Sequence, residues 1–341
     1  MKQSRPIASV LVYVGFDRIG DSLLKLPFVR GLRQAFPGAR ITWVAGRETS
    51  VYADVMADPV AGLIDEIIEN TGIGLTPTEF LHGRPGGTLA GRRFELVIDT
   101  QRIFWISLSL WRIPHDIFVS PAARFLLSSR KPPKGYAFPK TMQRQLLDLL
   151  ELASGKNFPT PKALDLDPGA EARAAAERLL PDGRRYVGIA PGSGGPPKCW
   201  PLANFIALAR RQATSGRTPV FFLGPKETDW RDEIASAVPE ALFPLQDERT
   251  RKAFGFSPLL TIALASRLTA AVSNDSGAGH MLAVGGAPIV ILYGPTEPGK
   301  FRPMTDSLVM VRARDFGGRE MRLIPPEAAE AAPERIIDTR G

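Results

Sequence analysis

Cysteine is nearly absent from this 341-residue chain: Cys199 stands alone, and the only histidines are His82, His115 and His280. That excludes a disulfide framework and leaves too few soft ligands for a structural zinc site, so a reducing, cytoplasmic compartment is expected. Long apolar runs are missing too. The opening MKQSRPIASVLVYVG has a basic tip but only a short apolar stretch and no small-residue cleavage pattern. The longest greasy segment elsewhere, residues 103–111, is about half a membrane span. The chain is therefore expected to be neither secreted nor membrane-spanning. No block of like charge and no low-complexity tract interrupts a composition of 44% apolar and 23% charged residues, which excludes general disorder. The length predicts two domains of ordinary size with a cleft between them.

What is present in excess is positive charge, +8 overall. Residues 1–160 carry 20 Lys and Arg against 14 Asp and Glu, whereas the remainder carries 23 against 21. Between residues 80 and 145, 11 basic residues face three acids, Glu95, Asp99 and Asp116. A basic N-terminal half suits an anionic partner such as phosphorylated glycolipid, an acidic membrane surface or nucleic acid; an Arg-rich solvated surface explains the same numbers without one. No recognised nucleic-acid motif occurs and the basic residues are not interleaved with a stacking array, so nucleic acid is not the expected partner.

Hydrophobic periodicity predicts a βαβ unit at the front: strand 9–14, turn 15–20, helix 21–36 and strand 41–45. Strands are expected at 63–68 and 94–98, and residues 104–152 read as helices broken by Pro114, Pro121 and the Pro132-Pro133 pair. KNFPTPKALDLDPG, with three prolines, reads as a linker. The pattern then restarts with helix 170–180, strand 186–189, helix 203–213, strand 219–223 and helix 227–238. Helix 258–266, strand 270–273, helix 277–284 and strand 288–293 follow, and the Ala/Glu-rich tail from 327 is expected to be a closing helix. The expected fold class is α/β, with two doubly wound, Rossmann-like parallel-sheet domains at 1–155 and 169–341 joined by the linker 156–168. Ligands should sit beyond the strand C-termini.

Gly20-Asp21 stands where the first strand's loop meets the first helix. Asp21 reads either as a helix N-cap or as a carboxylate able to take a proton from an acceptor hydroxyl. In PGSGGPPKCWP, residues 191–201, Gly192, Gly194 and Gly195 allow close backbone approach, Ser193 adds a hydroxyl and Lys198 a compact positive charge for phosphate. The stretch lacks both the GK[ST] ending of a Walker loop and the G-x-G-x-x-G spacing of a dinucleotide site, and a solvated loop is the competing reading. Trp200 is expected to be a core anchor. In SNDSGAGHMLAVGG, residues 273–286, a strand ends at Asn274-Asp275 and a helix starts at Ser276-Gly277, which makes an anion site of free N–H groups that His280 can supplement. A satisfied core histidine is the alternative. Glu227, in Gly224-Pro225-Lys226-Glu227, suits either a pair of ribose hydroxyls or the first turn of a helix. Lys198, Glu227 and Asp275–Gly277 all follow strands of one lobe and together outline a nucleotide-diphosphate pocket. The D-x-D at Asp165–Asp167 has no strand before it and reads as a solvated turn, so no metal and no cofactor are expected.

These motifs resemble the heptosyltransferase family, inverting GT-B glycosyltransferases of lipopolysaccharide core assembly that use ADP-heptose. The resemblance rests on Arg18-x-Gly20-Asp21, Leu24-x-Leu26-Pro27 and Phe36-Pro37 in the first half. In the second it rests on Pro191-Gly192 through Lys198-x-Trp200-Pro201, Gly224-Pro225-x-Glu227, Asp275-Ser276-Gly277-x-x-His280 and Tyr293-Gly294-Pro295-Thr296. It implies that Asp21 is the general base and Lys198 the diphosphate contact. It further implies that Glu227 is the ribose contact and that Asp275, Ser276, Gly277 and His280 form the donor-binding loop; Ser193 and Gly194 of the glycine-rich loop are carried with them as donor-binding candidates. It thins over residues 80–145, where an Asp-x-Gln turn remains at Asp99–Gln101; Arg18, Gln101 and Arg102 are carried as acceptor-binding candidates. The implied partners are ADP-heptose and an anionic glycolipid or glycan. Trp105 and Trp111 beside Arg102 and Arg112 are read as a peripheral contact with the inner membrane face. Inversion and closure of an open apo form would follow. The rival readings are a transferase of another nucleotide sugar, a non-hydrolysing nucleotide-sugar epimerase and a non-catalytic nucleotide-sugar-binding protein.

Overall fold

The computed structural model describes residues 6–74 and 89–331. Within its full extent the chain divides into two compact units, Met1–Pro161 and Lys162–Gly341. His82, the first part of the basic stretch and the tail beyond 331 lie outside the described residues.

The first unit runs β1 (Ser9–Val14), α1 (Ile19–Ala35), β2 (Arg40–Ala45), β3 (Glu66–Ile68), β4 (Phe94–Asp99), α2 (Phe104–Trp111), β5 (His115–Val119) and α3 (Met142–Ser154). Its sheet has the order β3-β2-β1-β4-β5, parallel throughout. The continuous apolar run of β1 is buried on both faces, as a central parallel strand requires. Leu11 and Tyr13 join Val97, Ile106 and Phe118 in one core cluster. The order reverses between β1 and β4, where chain connections leave the sheet in opposite directions and open a crevice beyond the strand ends. The β1–α1 turn and the Asp99–Gln101 turn flank that point.

The second unit runs α4 (Ala170–Leu179), β6 (Tyr186–Ala190), α5 (Leu202–Thr214), β7 (Thr218–Phe221), α6 (Trp230–Ala237), α7 (Glu248–Phe254) and α8 (Pro258–Ala265). It continues with β8 (Leu268–Asn274), α9 (Gly277–Val284), β9 (Ile289–Tyr293) and β10 (Leu308–Arg312). Its parallel sheet has the order β10-β9-β8-β6-β7, so the reversal falls between β6 and β8. Two apolar clusters cover its faces. Trp200, 2% exposed, is the expected anchor of one of them: its ring meets Phe205 edge-on and its Nε1 donates to the Ile324 carbonyl at 2.9 Å.

Several expectations are corrected. Residues 104–152 are not helical throughout: Pro114 ends the local helix, and the next five residues pair along β4 as β5. The free edge of β4 decides this, a long-range partner that periodicity cannot see. The strand expected at 63–68 shrinks to Glu66–Ile68 because the 3-10 turn at Asp58–Val60 runs on into a further turn, with the Leu63 N–H donating to the Val60 carbonyl at 2.9 Å. The helix expected from 227 begins at Trp230, since residues 225–229 form a turn, with the Trp230 N–H donating to the Glu227 carbonyl at 3.0 Å. Helix α1 starts at Ile19 with Arg18 as its N-cap, so Asp21 is a first-turn residue and not the cap. Strand β10 and the seven-residue α7 were not foreseen: one is a half-exposed edge strand, the other a polar helix burying only Thr250. Residues 326–331 are helical.

Candidate active site

In the second unit the site grows from the switch point between β6 and β8. Asn274, fully buried at the end of β8, accepts the Trp200 N–H at 3.1 Å and donates to the Pro191 carbonyl at 2.6 Å. One amide thus holds both ends of the 191–201 loop and sets the position of Lys198 between them. Lys198 Nζ reaches Asp275 Oδ2 at 3.1 Å, and the Thr296 hydroxyl donates to the same oxygen at 2.6 Å. Asp275 is almost covered, whereas the Lys198 side chain stays 36% exposed and can turn part of its charge outward.

Directly after Asp275, Ser276 caps α9 by accepting from Gly279, and Gly277 opens the helix without a side chain over its first N–H groups. Gly279 is fixed by packing, because a Cβ there would lie 2.7 Å from Ile291 Cδ1. His280 is buried in the first turn, and burial pulls its pKa down to about 4, reinforced by Lys198 and opposed by Asp275. It is neutral at physiological pH and offers a hydrogen bond rather than a charge.

Glu227 comes to the same end of the sheet from the loop after β7. Its Oε2 accepts the Gly224 N–H at 3.1 Å, and its carboxyl lies so close to Gly192 that a Cβ there would come within 2.6 Å of Glu227 Cδ. The two glycines let the loops after β6 and β7 close on one carboxylate. Burial raises the pKa of Glu227, while the Gly224 N–H and the Lys226 charge lower it. Ser193 donates to the Gly195 carbonyl at 2.8 Å, accepts the Gly195 N–H at 3.2 Å and lies 3.1 Å from Cys199 Sγ, so its hydroxyl braces its own loop, and Gly194 faces open space.

In the first unit Asp21 is half-buried in the first turn of α1, where the helix dipole favours a carboxylate. The turn leading to it is pinned by Asp17, which accepts from Trp43 Nε1 at 2.6 Å and Ser50 Oγ at 2.8 Å and pairs with the buried Lys25. Asp99 closes β4 fully buried, accepting from Ser120 Oγ and the Gln101 N–H at 2.8 Å each and from Ser107. Burial lifts its pKa to about 6 against these donors. The turn it fixes lays Gln101 over Gly15, whose hypothetical Cβ would be 3.3 Å from Gln101 Oε1. Arg102 turns elsewhere, its guanidinium 3.9 Å above the Phe138 ring, and the exposed Arg18 lies over Phe16. Asp167 accepts the Gly169 N–H at 2.8 Å and pairs with Arg173, as a surface turn.

A family model described as glycosyltransferase family 9 (heptosyltransferase) matches residues 84–322. The chain belongs to this family. It is accordingly a glycosyltransferase. Lipopolysaccharide heptosyltransferase 2 of Salmonella typhimurium is 24% identical over 321 residues, covering 89% of this chain and 87% of that protein. Among solved structures, the family 9 glycosyl transferase of Veillonella parvula is similar with a TM-score of 0.70 at 21% identity, covering 98% of this chain and 99% of that one. The ADP-heptose lps heptosyltransferase II of E. coli follows at 0.65 and 20%, covering 98% and 99%. These likenesses concern the fold, and with the two doubly wound sheets they make it GT-B.

Within this family frame, several contributors escaped sequence reasoning. Asn274 and Thr296 both stood inside quoted motifs, but nothing in their spacing says that one bridges two loops and the other holds Asp275. Asp17 carried a weaker signal, an acid three residues before the Gly20-Asp21 pair. Its burial is visible only once Trp43 and Ser50 of neighbouring segments surround it.

Proposed function

We propose that this chain is an inverting heptosyltransferase that moves heptose from ADP-heptose onto a hydroxyl of a lipopolysaccharide core or related glycan acceptor. The observation that carries the reading is the Lys198–Asp275 pair beside the open N-terminus of α9 at the topological switch point. A primary ammonium and unobstructed helical N–H groups in one place suit a diphosphate. Glu227, held between two glycine loops, suits a pair of ribose hydroxyls as an acceptor of both. The names of the Salmonella and E. coli relatives support the sugar and the acceptor class.

In this reading the acceptor oxygen forms a bond to the anomeric carbon as the bond from that carbon to the diphosphate oxygen breaks. The hydroxyl proton passes to Asp21 and the electron pair leaves with the diphosphate. Lys198 and the α9 N–H groups stabilise the charge that grows on the leaving group, and attack from the opposite face inverts the centre. Arg18, Gln101 and Arg102 belong to the acceptor side. Thermal unfolding with ADP, GDP and UDP tests the donor: at about 100 times its Kd, ADP should add roughly 2.7 kcal/mol and raise the midpoint by several degrees. Preference for GDP or UDP would overturn the sugar, and no response to any of them would overturn the site.

In this reading a contact with an anionic bilayer falls to the segments that follow β4 and β5. Phe104 (41%), Trp105 (38%) and Leu126 (59%) are exposed in these segments, which also carry the exposed Arg124, Lys131 and Lys134. Leu126 is held out by a turn in which Ala123, Arg124 and Phe125 all take left-handed backbone (φ 45°, 55° and 64°), a strained run kept in place by Phe125 stacking on Phe138. The only acid among residues 100–147 is Asp116, near the start of β5 and hence toward the other edge. Trp111, 46% exposed, belongs to the same proposed contact from the other end of α2, where its ring meets that of His115 edge-on. Among the described residues no helix is long and apolar enough to cross a membrane. Cosedimentation with phosphatidylglycerol-containing vesicles should exceed that with pure phosphatidylcholine and fall with salt and in Leu126→Asp/Lys131→Glu/Lys134→Glu. Binding indifferent to anionic lipid would remove the contact.

A further inference from the structure

Strand β9 ends on Tyr293, 1% exposed, whose ring lies in the core while its hydroxyl has no hydrogen-bond partner among the described residues. A buried hydroxyl left unpaired is destabilising, and native structures keep such groups rare. The surroundings point to a ligand as the missing partner. Tyr293 and Asp275 close neighbouring strands laced at their ends, where the Asp275 N–H donates to the Leu292 carbonyl at 3.1 Å. The phenol stands in the field of the Asp275 carboxylate and of Arg302. Tyr293 also borders a recess with Gly294, Thr296, Glu297, Pro298, Arg312 and Arg314, in which Glu297 pairs with Arg314, and Thr296 is the residue that holds Asp275.

We propose that the Tyr293 hydroxyl donates a hydrogen bond to a diphosphate oxygen of the bound nucleotide sugar, a donor-binding contact additional to Lys198 and the N-terminus of α9. The proposal rests on the reading of this site as the nucleotide-diphosphate site. The bond asked for has the right polarity. Burial and the neighbouring carboxylate both raise the phenol's pKa, so it keeps its proton and is a donor at physiological pH. Asp275 is engaged by Lys198 and Thr296 through Oδ2, and no hydrogen bond joins it to the Tyr293 hydroxyl. A diphosphate brings acceptor oxygens only, and an uncharged O–H can serve one of them without adding a further buried charge.

The test is Tyr293→Phe, which keeps the ring and deletes one oxygen, read by calorimetric Kd for ADP and for ADP-heptose beside the melting temperature of the ligand-free protein. ADP and ADP-heptose should both bind about tenfold more weakly, the loss typical of one hydrogen bond to a charged group, while the melting temperature holds or rises because an orphaned hydroxyl is gone. Equal Kd for wild type and variant would overturn the contact. Weaker ADP-heptose with unchanged ADP would place the hydroxyl on the sugar and overturn the diphosphate assignment, and a lowered melting temperature would mean that the hydroxyl is bonded inside the protein. If wild type itself bound no ADP, the site reading would fall and this contact with it.

Discussion

Asp21→Asn should fold and bind donor like the wild type yet turn over roughly 10²–10⁴ times more slowly, the usual loss when a general base is deleted. Asparagine has nearly the same shape and can occupy the same first-turn position of α1, so the substitution removes the basicity while keeping the outline of the side chain. Asp21 has a structural role available to it as well, since a carboxylate in a first turn gains from the helix dipole by about 0.3–1 kcal/mol. The two roles separate in the measurement. A purely electrostatic residue would cost a little melting temperature and leave kcat near normal, whereas the base costs kcat with the calorimetric Kd for ADP unchanged. Near-normal turnover in the variant would reduce Asp21 to a first-turn acid.

Lys198→Ala should weaken ADP by a factor of roughly ten to a hundred, the equivalent of about 1.5–3 kcal/mol for a charge-assisted hydrogen bond. Two effects act together. The ammonium assigned to the diphosphate in the proposed reading is lost, and Asp275 keeps its carboxylate, only 9% exposed, without the cation 3.1 Å from it. The uncovered negative charge then opposes an anionic ligand at the mouth of α9. Turnover should fall too, because the leaving group's charge is larger in the transition state than in bound donor. Titration calorimetry with ADP reads the first effect and single-turnover kinetics the second. Unchanged affinity would take Lys198 out of the site.

Much of the candidate site in the second unit was legible because its residues are close in sequence and follow strands. Asp275, Ser276 and Gly277 sit at a strand-to-helix junction, where the spacing alone implies exposed N–H groups. The 191–201 loop announces itself by its glycines. Glu227 was placed near the right loop, but its setting was misread, since it stands in a turn before α6, against Gly192. On the acceptor side far less could be read: the Asp99–Gln101 turn was visible, but not that two serines from α2 and the end of β5 bury Asp99 and so fix Gln101 over Gly15.

By itself the sequence determined the two α/β lobes, the strands that form their centres and the loops that hold the candidate site. Periodicity and turn residues are local signals, and parallel strands buried on both faces are the strongest of them. Tertiary structure alone decided that residues 115–119 pair as a strand, that Asn274 ties two distant segments of chain, and that Tyr293 brings an unpaired hydroxyl to the neighbourhood of Asp275. Each of these depends on a partner supplied from elsewhere in the chain or, for Tyr293, on its absence, and no spacing along the sequence encodes which side chains meet across a sheet.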